Sequence, residues 1–434
     1  MDLLYTNDTA GQYPPSWYAA TAMPPAPFSA IQGTQRADVC VIGAGYTGLS
    51  AALHLAQSGR RVILVEAHRV GFGASGRNGG QLGSGQRVDQ DALEQMVGFD
   101  RARVLWEYGE DAKALVKSLI AKHKIDCHLK PGIAWTGSTK ADVAHLHDYA
   151  ALLQDKYGYQ QVKPLSAEEC HALCPSPDFK GGLLDMGAAH LHPLAFAFGL
   201  ARAAVAAGAT IHENTRVTEL EHGQTVKVKT DSGVITADHV ILACNGYLSG
   251  LAPQVTARVM PINNFIVATE PLGKEADRVL TQDVAVADSR FVVNYFRLSH
   301  DKRLLFGGGE SYGYRFPKDI ASVVRKPMEV VFPHLKDVRI DYAWGGTLGI
   351  TMKRFPYLAR VAPNVLSASG YSGHGVGTAT HAGQLMARAI AGQDEGFKTM
   401  GCIPTPAFPG GGALRTPLLI LAMSWYAMRD RLGL

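Results

Sequence analysis

The apolar residues of this chain follow three rhythms. Val39–Ile42, Val62–Val65 and Val240–Ala243 are unbroken apolar runs, which suit strands covered on both faces in a parallel sheet. Helical spacing appears in Leu49, Ala52, Leu53, Leu55 and Ala56, which mark one face of a helix that Gly59 stops. Leu105, Tyr108, Ala112, Leu115 and Leu119 give the same rhythm over Arg103–Lys124, and further helices are predicted over Lys140–Lys156 and from Val376 to Ala391. Pro193 suits the first turn of a helix to Ala207, closed by Gly208. Ser166 and Glu169 form a capping-box pattern for a short helix. Alternation governs residues 256–350, with few helix signals, and predicts strands at Arg258–Thr269, Phe291–Arg297, Arg303–Phe306 and Arg339–Leu348. Shorter strands are expected at Gly132–Gly137, Arg216–Glu221, Thr225–Thr230, Val234–Ile235 and Val365–Ser369.

The strongest local pattern joins these rhythms. Strand Val39–Ile42 runs into Gly43-Ala44-Gly45-Tyr46-Thr47-Gly48, then a helix, then strand Val62–Val65 ending in Glu66. Gly43 permits the tight turn, Gly45 lets the backbone approach a pyrophosphate, and Gly48 lets helix and strand pack closely. The helix N-terminus offers unpaired N–H groups to phosphates. Glu66 lies 18 residues past Gly48, where a carboxylate reaches a ribose. A lone G-x-G-x-x-G could be a fortuitous turn, but here the strand, helix, second strand and acid are all in place.

Gly71-Phe72-Gly73-Ala74-Ser75-Gly76-Arg77-Asn78-Gly79-Gly80-Gln81 follows Glu66 almost at once. A flexible surface loop has a similar composition, but NAD-binding units have no need of such a loop at this spacing. It resembles the flavin-contacting loop of the D-amino-acid oxidase superfamily. Asp38–Gln81, Ala237–Gly246 and Asn364–Gly377 together resemble that superfamily. HLHPL at His190–Leu194, FGGGESYG at Phe306–Gly313, GYSGHG at Gly370–Gly375 and the terminal FPGG and RDRLG are similar to its branch that oxidises gamma-glutamyl amines such as gamma-glutamylputrescine.

The resemblance implies an α/β fold, a Rossmann-like FAD-binding domain interleaved with an antiparallel or mixed-sheet substrate domain. The expected division is an N-terminal arm over 1–35, rich in Pro and aromatics and extended on the body; an FAD-binding domain from 36–90, 184–255 and 351–400; a substrate domain from 91–183 and 256–350; and a C-terminal segment over 401–434. The implied chemistry is oxidation of an amine by hydride transfer to flavin N5, reoxidation by O2 to H2O2, and hydrolysis of the imine to an aldehyde. The protein's share is orientation and electrostatics. The implied cofactor contacts are Gly43, Gly45, Tyr46, Thr47, Gly48, Glu66 and Ala67 in the nucleotide unit, and Ala74, Ser75, Gly76, Arg77, Asn78, Gly79, Gly80 and Gln81 in the loop. Val217, Ala243, Cys244 and Asn245 are expected to join them, with Gly370, Gly373, His374, Gly375, Val376 and Gly377.

Three residues are candidates for catalysis. His374 precedes a helix whose N-terminus can stabilise negative charge on the reduced flavin; the alternative is a loop histidine that holds backbone shape. Tyr295 and Arg297 share strand parity, so both could face the ring. A guanidinium binds a carboxylate bidentately, which suits a glutamyl end or an amino acid, although a solvated strand arginine is equally compatible. The chain departs from sarcosine-type relatives in three places. Gly377 stands where they carry a lysine. No cysteine lies between Cys244 and Cys402, where theirs links the flavin, so the FAD is expected to be non-covalent. An apolar residue near Leu305 replaces their oxygen-activating lysine. The alternatives are an oxidase of pipecolate or sarcosine-like imino and N-methyl amino acids, an FAD-dependent dehydrogenase, and a flavin-binding module serving a partner.

Composition narrows the setting. The 434 residues are 47% hydrophobic and 18% charged, enough for two or three domains with a sizeable core. A net charge of +4 without a basic block argues against nucleic acid. Six scattered cysteines without a C-x-x-C, and no signal-peptide pattern, fit a reduced, cytoplasmic setting. The run Leu418–Met428 falls short of the ~20 residues of a membrane span and reads as a docked or interfacial helix. Cys170, His171 and Cys174, like His123, Cys127 and His128, lack a second pair at zinc spacing, so no metal is expected. The small-molecule amine and O2 are the expected partners; nothing in the sequence sets the oligomeric state.

Overall fold

The computed structural model describes residues 2–290, 292–311 and 313–409. The Leu418–Met428 run and RDRLG lie outside the described residues.

Strand β1 (Gly33–Ile42) is the centre of the first sheet, parallel to β2 (Val62–Val65) on one side and β10 (Gly233–Leu242) on the other. Parallel β7 (Thr210–His212) extends the sheet beyond β2, and β17 (Val365–Ser369) extends it beyond β10. Antiparallel β16 (Tyr357–Ala362) closes one edge, and a ribbon of β8 (Val217–Glu221) and β9 (Val226–Thr230) branches from β10. The apolar runs are unbroken because both faces are covered. Val39, Val41 and Leu64 pack with helices α2 (Tyr46–Gln57), α7 (Pro193–Ala206), α10 (Gly375–Ile390) and α4 (Phe99–His123), while Cys40, Ile42, Ile63 and Val65 pack against the ribbon.

The second sheet runs in the order β15 (Ile340–Ile350), β11 (Met260–Thr269), β14 (Leu304–Ser311), β13 (Tyr295–Leu298), β12 (Ala285–Asp288), β4 (Lys130–Gly137), β6 (Gly181–His190) and β3 (Gln81–Leu82), with β5 (Val162–Leu165) also on β6. Its pairs are antiparallel except β12 with β4. Helices α5 (Lys140–Tyr157), α6 (Ala167–Leu173) and α9 (Ile320–Val331) cover it. The Ser166–Glu169 capping box forms at α6, and Thr139 with Asp142 makes another at α5. Short helices α3 (Gln90–Val97), α8 (Pro253–Thr256) and α11 (Glu395–Met400) complete the body. Among the described residues no helix is long and apolar enough to cross a membrane.

Several expectations need correction. The first 35 residues are not merely extended: Ser16 caps α1 (Trp17–Thr21), whose Trp17 and Tyr18 are fully buried. The boundary at 35/36 falls inside β1, and the boundary at 183/184 falls inside β6, which belongs to the second sheet to its last residue. Gln81 and Leu82 also join that sheet. Val234–Ile235 and Val240–Ala243 are one strand, because β1 stays in register along its length. The 256–350 region holds a helix, α9, with Val324, Met328 and Val331 facing the core. Pro327 inside it weakens the helical signal in the sequence. The strand expected at Phe291–Arg297 is shifted to Tyr295–Leu298, and β12 was not anticipated.

Candidate active site

The ends of β1, β2, β10 and β17, the loop before β3, and one wall of the second sheet enclose a cavity of about 860 Å³. That volume lies in the range of cofactor and ligand sites. Gly43 turns the chain at φ +104°, and a Cβ there would meet the Ala243 carbonyl at 2.8 Å. A Cβ on Gly48 would lie 1.8 Å from the Gly43 carbonyl, so only glycine lets α2 sit this close to β1. Glu66 lines the cavity; its two oxygens accept from Ala44 N at 2.7 Å and His68 N at 3.0 Å. Burial pushes its carboxyl upward, and these amides pull it back.

The loop before β3 locks onto this unit. Ser75 Oγ accepts from Tyr46 N at 3.0 Å, at the start of α2. The Asn78 amide donates to the Ala74 and Ser75 carbonyls and accepts from Gly80 N. Arg77 is buried, bonded to the Phe72 and Gly345 carbonyls and to Asp8 of the N-terminal arm. Its second terminal nitrogen, Nη2, is buried and has no partner among the described residues. Such an orphan donor in a cavity-lining residue fits a cofactor with carbonyl or phosphate oxygens.

Helices α2 and α10 both begin at the cavity, and neither has a side-chain cap. Their first amides and dipoles face the cavity, an arrangement that suits negatively charged groups of a bound ligand. Thr47 and Tyr371 hydroxyls bond at 2.7 Å and tie the two helix starts together. His374 sits at the N-cap of α10, its Nε2 donating to the Gly85 carbonyl at 3.3 Å. Burial, with Arg87 nearby, pushes its imidazole down to about 4. The ring is neutral at pH 7 and acts as a donor that holds the 83–85 backbone.

Most of the anticipated contacts line the cavity: Gly43, Gly45, Tyr46, Thr47, Glu66, Ala67, Ala74, Ser75, Arg77, Asn78, Gly79, Gln81, Val217, Ala243, Cys244, Asn245, Gly373, His374, Gly375, Val376 and Tyr295 do so. Gly48, Gly76, Gly80, Gly370 and Gly377 lie behind its wall as packing or turn positions. A Cβ on Gly377 would face Leu82 and Ala112 rather than the cavity. Leu305 is buried in β14 and does not line the cavity. Cys244 is the cysteine that reaches the cavity; burial pushes its thiol up to about 12, so it is no ready nucleophile.

Arg297 is the principal correction. It does not line the cavity but lies beneath the loop, 5% exposed, with Nε donating to the Gly79 carbonyl at 3.1 Å. Strand parity holds, yet only Tyr295 reaches the wall, its ring against Gly79 and its hydroxyl donating to Asn264. Among the described residues the cavity-lining guanidinium groups are Arg77, which is paired with Asp8, and Arg87, Arg216 and Arg354; Glu310 is the second acid beside Glu66. Among the described residues Arg87 spends only Nε, on the Ser372 carbonyl at 3.2 Å. No sequence pattern flags Arg87; it follows β3 in a loop whose path depends on tertiary packing.

Histidines that the fold strips of water set an acid limit on it. Burial pushes His192 down to about 3, His374 and His381 down to about 4, and His190 down as well. In the unfolded chain they take protons near their ordinary ~6.5. Between about 6.5 and about 4 the unfolded state holds more protons, so stability falls as pH falls. Each group contributes up to about 1.4 kcal/mol per pH unit. The melting temperature is expected to drop steadily from pH 7 to pH 4.5, and substituting His381 by Asn should flatten the slope. A melting temperature independent of pH in that window would contradict this assignment.

Comparison with known proteins agrees with this geometry. The family of FAD dependent oxidoreductases matches residues 38–389. The chain is 43% identical over 417 residues to the probable oxidoreductase OrdL of Rhizobium meliloti (strain 1021), covering 96% of this chain and 97% of the relative. It is 39% identical over 421 residues to the gamma-glutamylputrescine oxidoreductase of Escherichia coli (strain K12), covering 96% and 98%. Glycine oxidase from Geobacillus kaustophilus has a similar fold, with a TM-score of 0.70 at 21% identity over 83% of this chain and 95% of that one.

Proposed function

Because the chain belongs to the family of FAD dependent oxidoreductases, whose relatives act on amine and amino-acid donors, we propose that its substrate is a gamma-glutamyl amine, with gamma-glutamylputrescine the best fit, and that O2 is the final acceptor. The chemistry FAD supplies when bound is two-electron acceptance: a hydride leaves the carbon beside the amine nitrogen, and O2 takes up the pair as H2O2.

The observation that carries the substrate reading is the composition of the wall. Ile133, Trp135 and Ala287 suit a methylene chain, and Arg87 and Glu310 suit the carboxylate and ammonium of an amino-acid head. The name of the Escherichia coli relative supports the same choice. Tyr295 and Asn264, hydrogen-bonded to each other, give the wall a fixed polar edge that orients the reacting amine. Neutral His374 keeps the α10 N-terminus in place without adding charge. No nucleophilic side chain is needed. Six free cysteines fit a cytoplasmic enzyme.

Oxygen uptake tests the acceptor. With gamma-glutamylputrescine the protein should consume O2 and release an equal amount of H2O2. Reduction of the flavin by substrate without O2 uptake would make the protein a dehydrogenase.

A further inference from the structure

Strand β13 grips the loop before β3 at one residue, Gly79, from two sides. A Cβ on Gly79 would lie 2.6 Å from the Tyr295 ring, while Arg297 Nε donates to the Gly79 carbonyl at 3.1 Å. The remaining Arg297 contacts are the Leu298 carbonyl and the Tyr18 hydroxyl, both at 3.4 Å. Among the described residues no carboxylate pairs with this guanidinium. Asp301 pairs with Ser299 and Arg303, and Asp283 with His190 and Lys130. Tyr18 lies under the guanidinium, and His190 and His192 are held neutral partly by its charge.

A buried charge without a counter-ion is costly, and a negative charge brought close to it offsets part of that cost. Here the guanidinium is one peptide group from the cavity wall, because Gly79 lines the cavity and its carbonyl accepts from Arg297. Gaining a hydride adds negative charge to whatever flavin occupies that space. We propose that Arg297 is an electrostatic positioning residue: through Gly79 it fixes the wall of the flavin site, and its unpaired charge favours the reduced, more negative cofactor. The N-terminal arm is part of this device, since Tyr18 of α1 supplies the lower contact. The proposal rests on FAD being the occupant.

The test uses the FAD-loaded protein and its Arg297→Lys, Arg297→Gln and Arg297→Met variants. FAD content is measured first, then the midpoint potential and the dissociation constant of sulfite, a probe that adds to electron-poor flavins. A colourless wild-type protein would mean that the FAD reading itself has failed. The lysine variant should stay close to wild type. The glutamine and methionine variants should keep FAD, bind sulfite at least about tenfold more weakly, and shift the two-electron reduction equilibrium by about tenfold, ~30 mV. A glutamine variant with normal FAD, potential and sulfite affinity would overturn the proposal. So would a lysine variant as impaired as glutamine, since shape and not charge would then matter. Loss of FAD in all three variants would reduce Arg297 to loop architecture and equally overturn it.

Discussion

Gly45→Val should give a folded, colourless protein. Gly45 is the N-cap of α2 at φ −84° and ψ −173°, extended backbone that any residue adopts, so valine strains no dihedral. The space is what it lacks: a Cβ there would lie 2.8 Å from Ser75 Oγ, the atom that accepts from Tyr46 N at the start of the helix. The larger side chain both fills the phosphate volume and displaces that hydroxyl. FAD content is expected to fall below about a tenth of wild type, a loss of about 1.4 kcal/mol or more in binding. Circular dichroism should be little changed, and the melting temperature should fall by what bound FAD contributes. The wild-type protein is the control: it should be yellow and release free FAD on acid or heat precipitation. A variant with normal flavin content would show that the turn does not hold the pyrophosphate.

Arg87→Met should weaken the substrate rather than the cofactor. Its guanidinium lines the cavity with only Nε committed among the described residues, and its neighbours include Arg354, Glu310 and His374. A charge-assisted bond to a desolvated carboxylate contributes roughly 1.5–3 kcal/mol. Its loss corresponds to a KM for gamma-glutamylputrescine raised about 10- to 150-fold. Putrescine, which has no carboxylate, should lose almost nothing. Steady-state kinetics with both amines decide the matter; an unchanged KM for the glutamyl substrate would remove Arg87 from the carboxylate site.

The contrast between Arg87 and Arg297 marks the limit of what the sequence discloses. The β1–α2–β2 unit is legible because its glycines, helix start and terminal acid are local requirements of backbone geometry. The loop from Ala74 to Gln81 is legible through its distance from Glu66. Arg297 is readable only as far as strand parity: two residues along β13 is about 7 Å, enough to pass from the cavity wall to the underside of the loop. There it meets the Gly79 carbonyl and the Tyr18 hydroxyl of the arm, contacts that come from distant parts of the chain. Arg87, Asn264 and Glu310 converge from separate elements, and no spacing in the chain announces that they meet. The α9 helix shows a different limit, where Pro327 lowers the local helical signal and core contacts at Val324, Met328 and Val331 outweigh it.

The measurement that bears most directly on the account is flavin reduction in stopped flow under nitrogen, with gamma-glutamylputrescine, putrescine, pipecolate and sarcosine at equal concentration. On the proposed reading, a substrate with a methylene chain between amine and carboxylate engages the apolar wall and Arg87 together; putrescine lacks the carboxylate, and the two amino acids lack the chain. Gamma-glutamylputrescine is therefore expected to bleach the flavin fastest of the four. Fastest reduction by pipecolate or sarcosine, with gamma-glutamylputrescine inert, would contradict it.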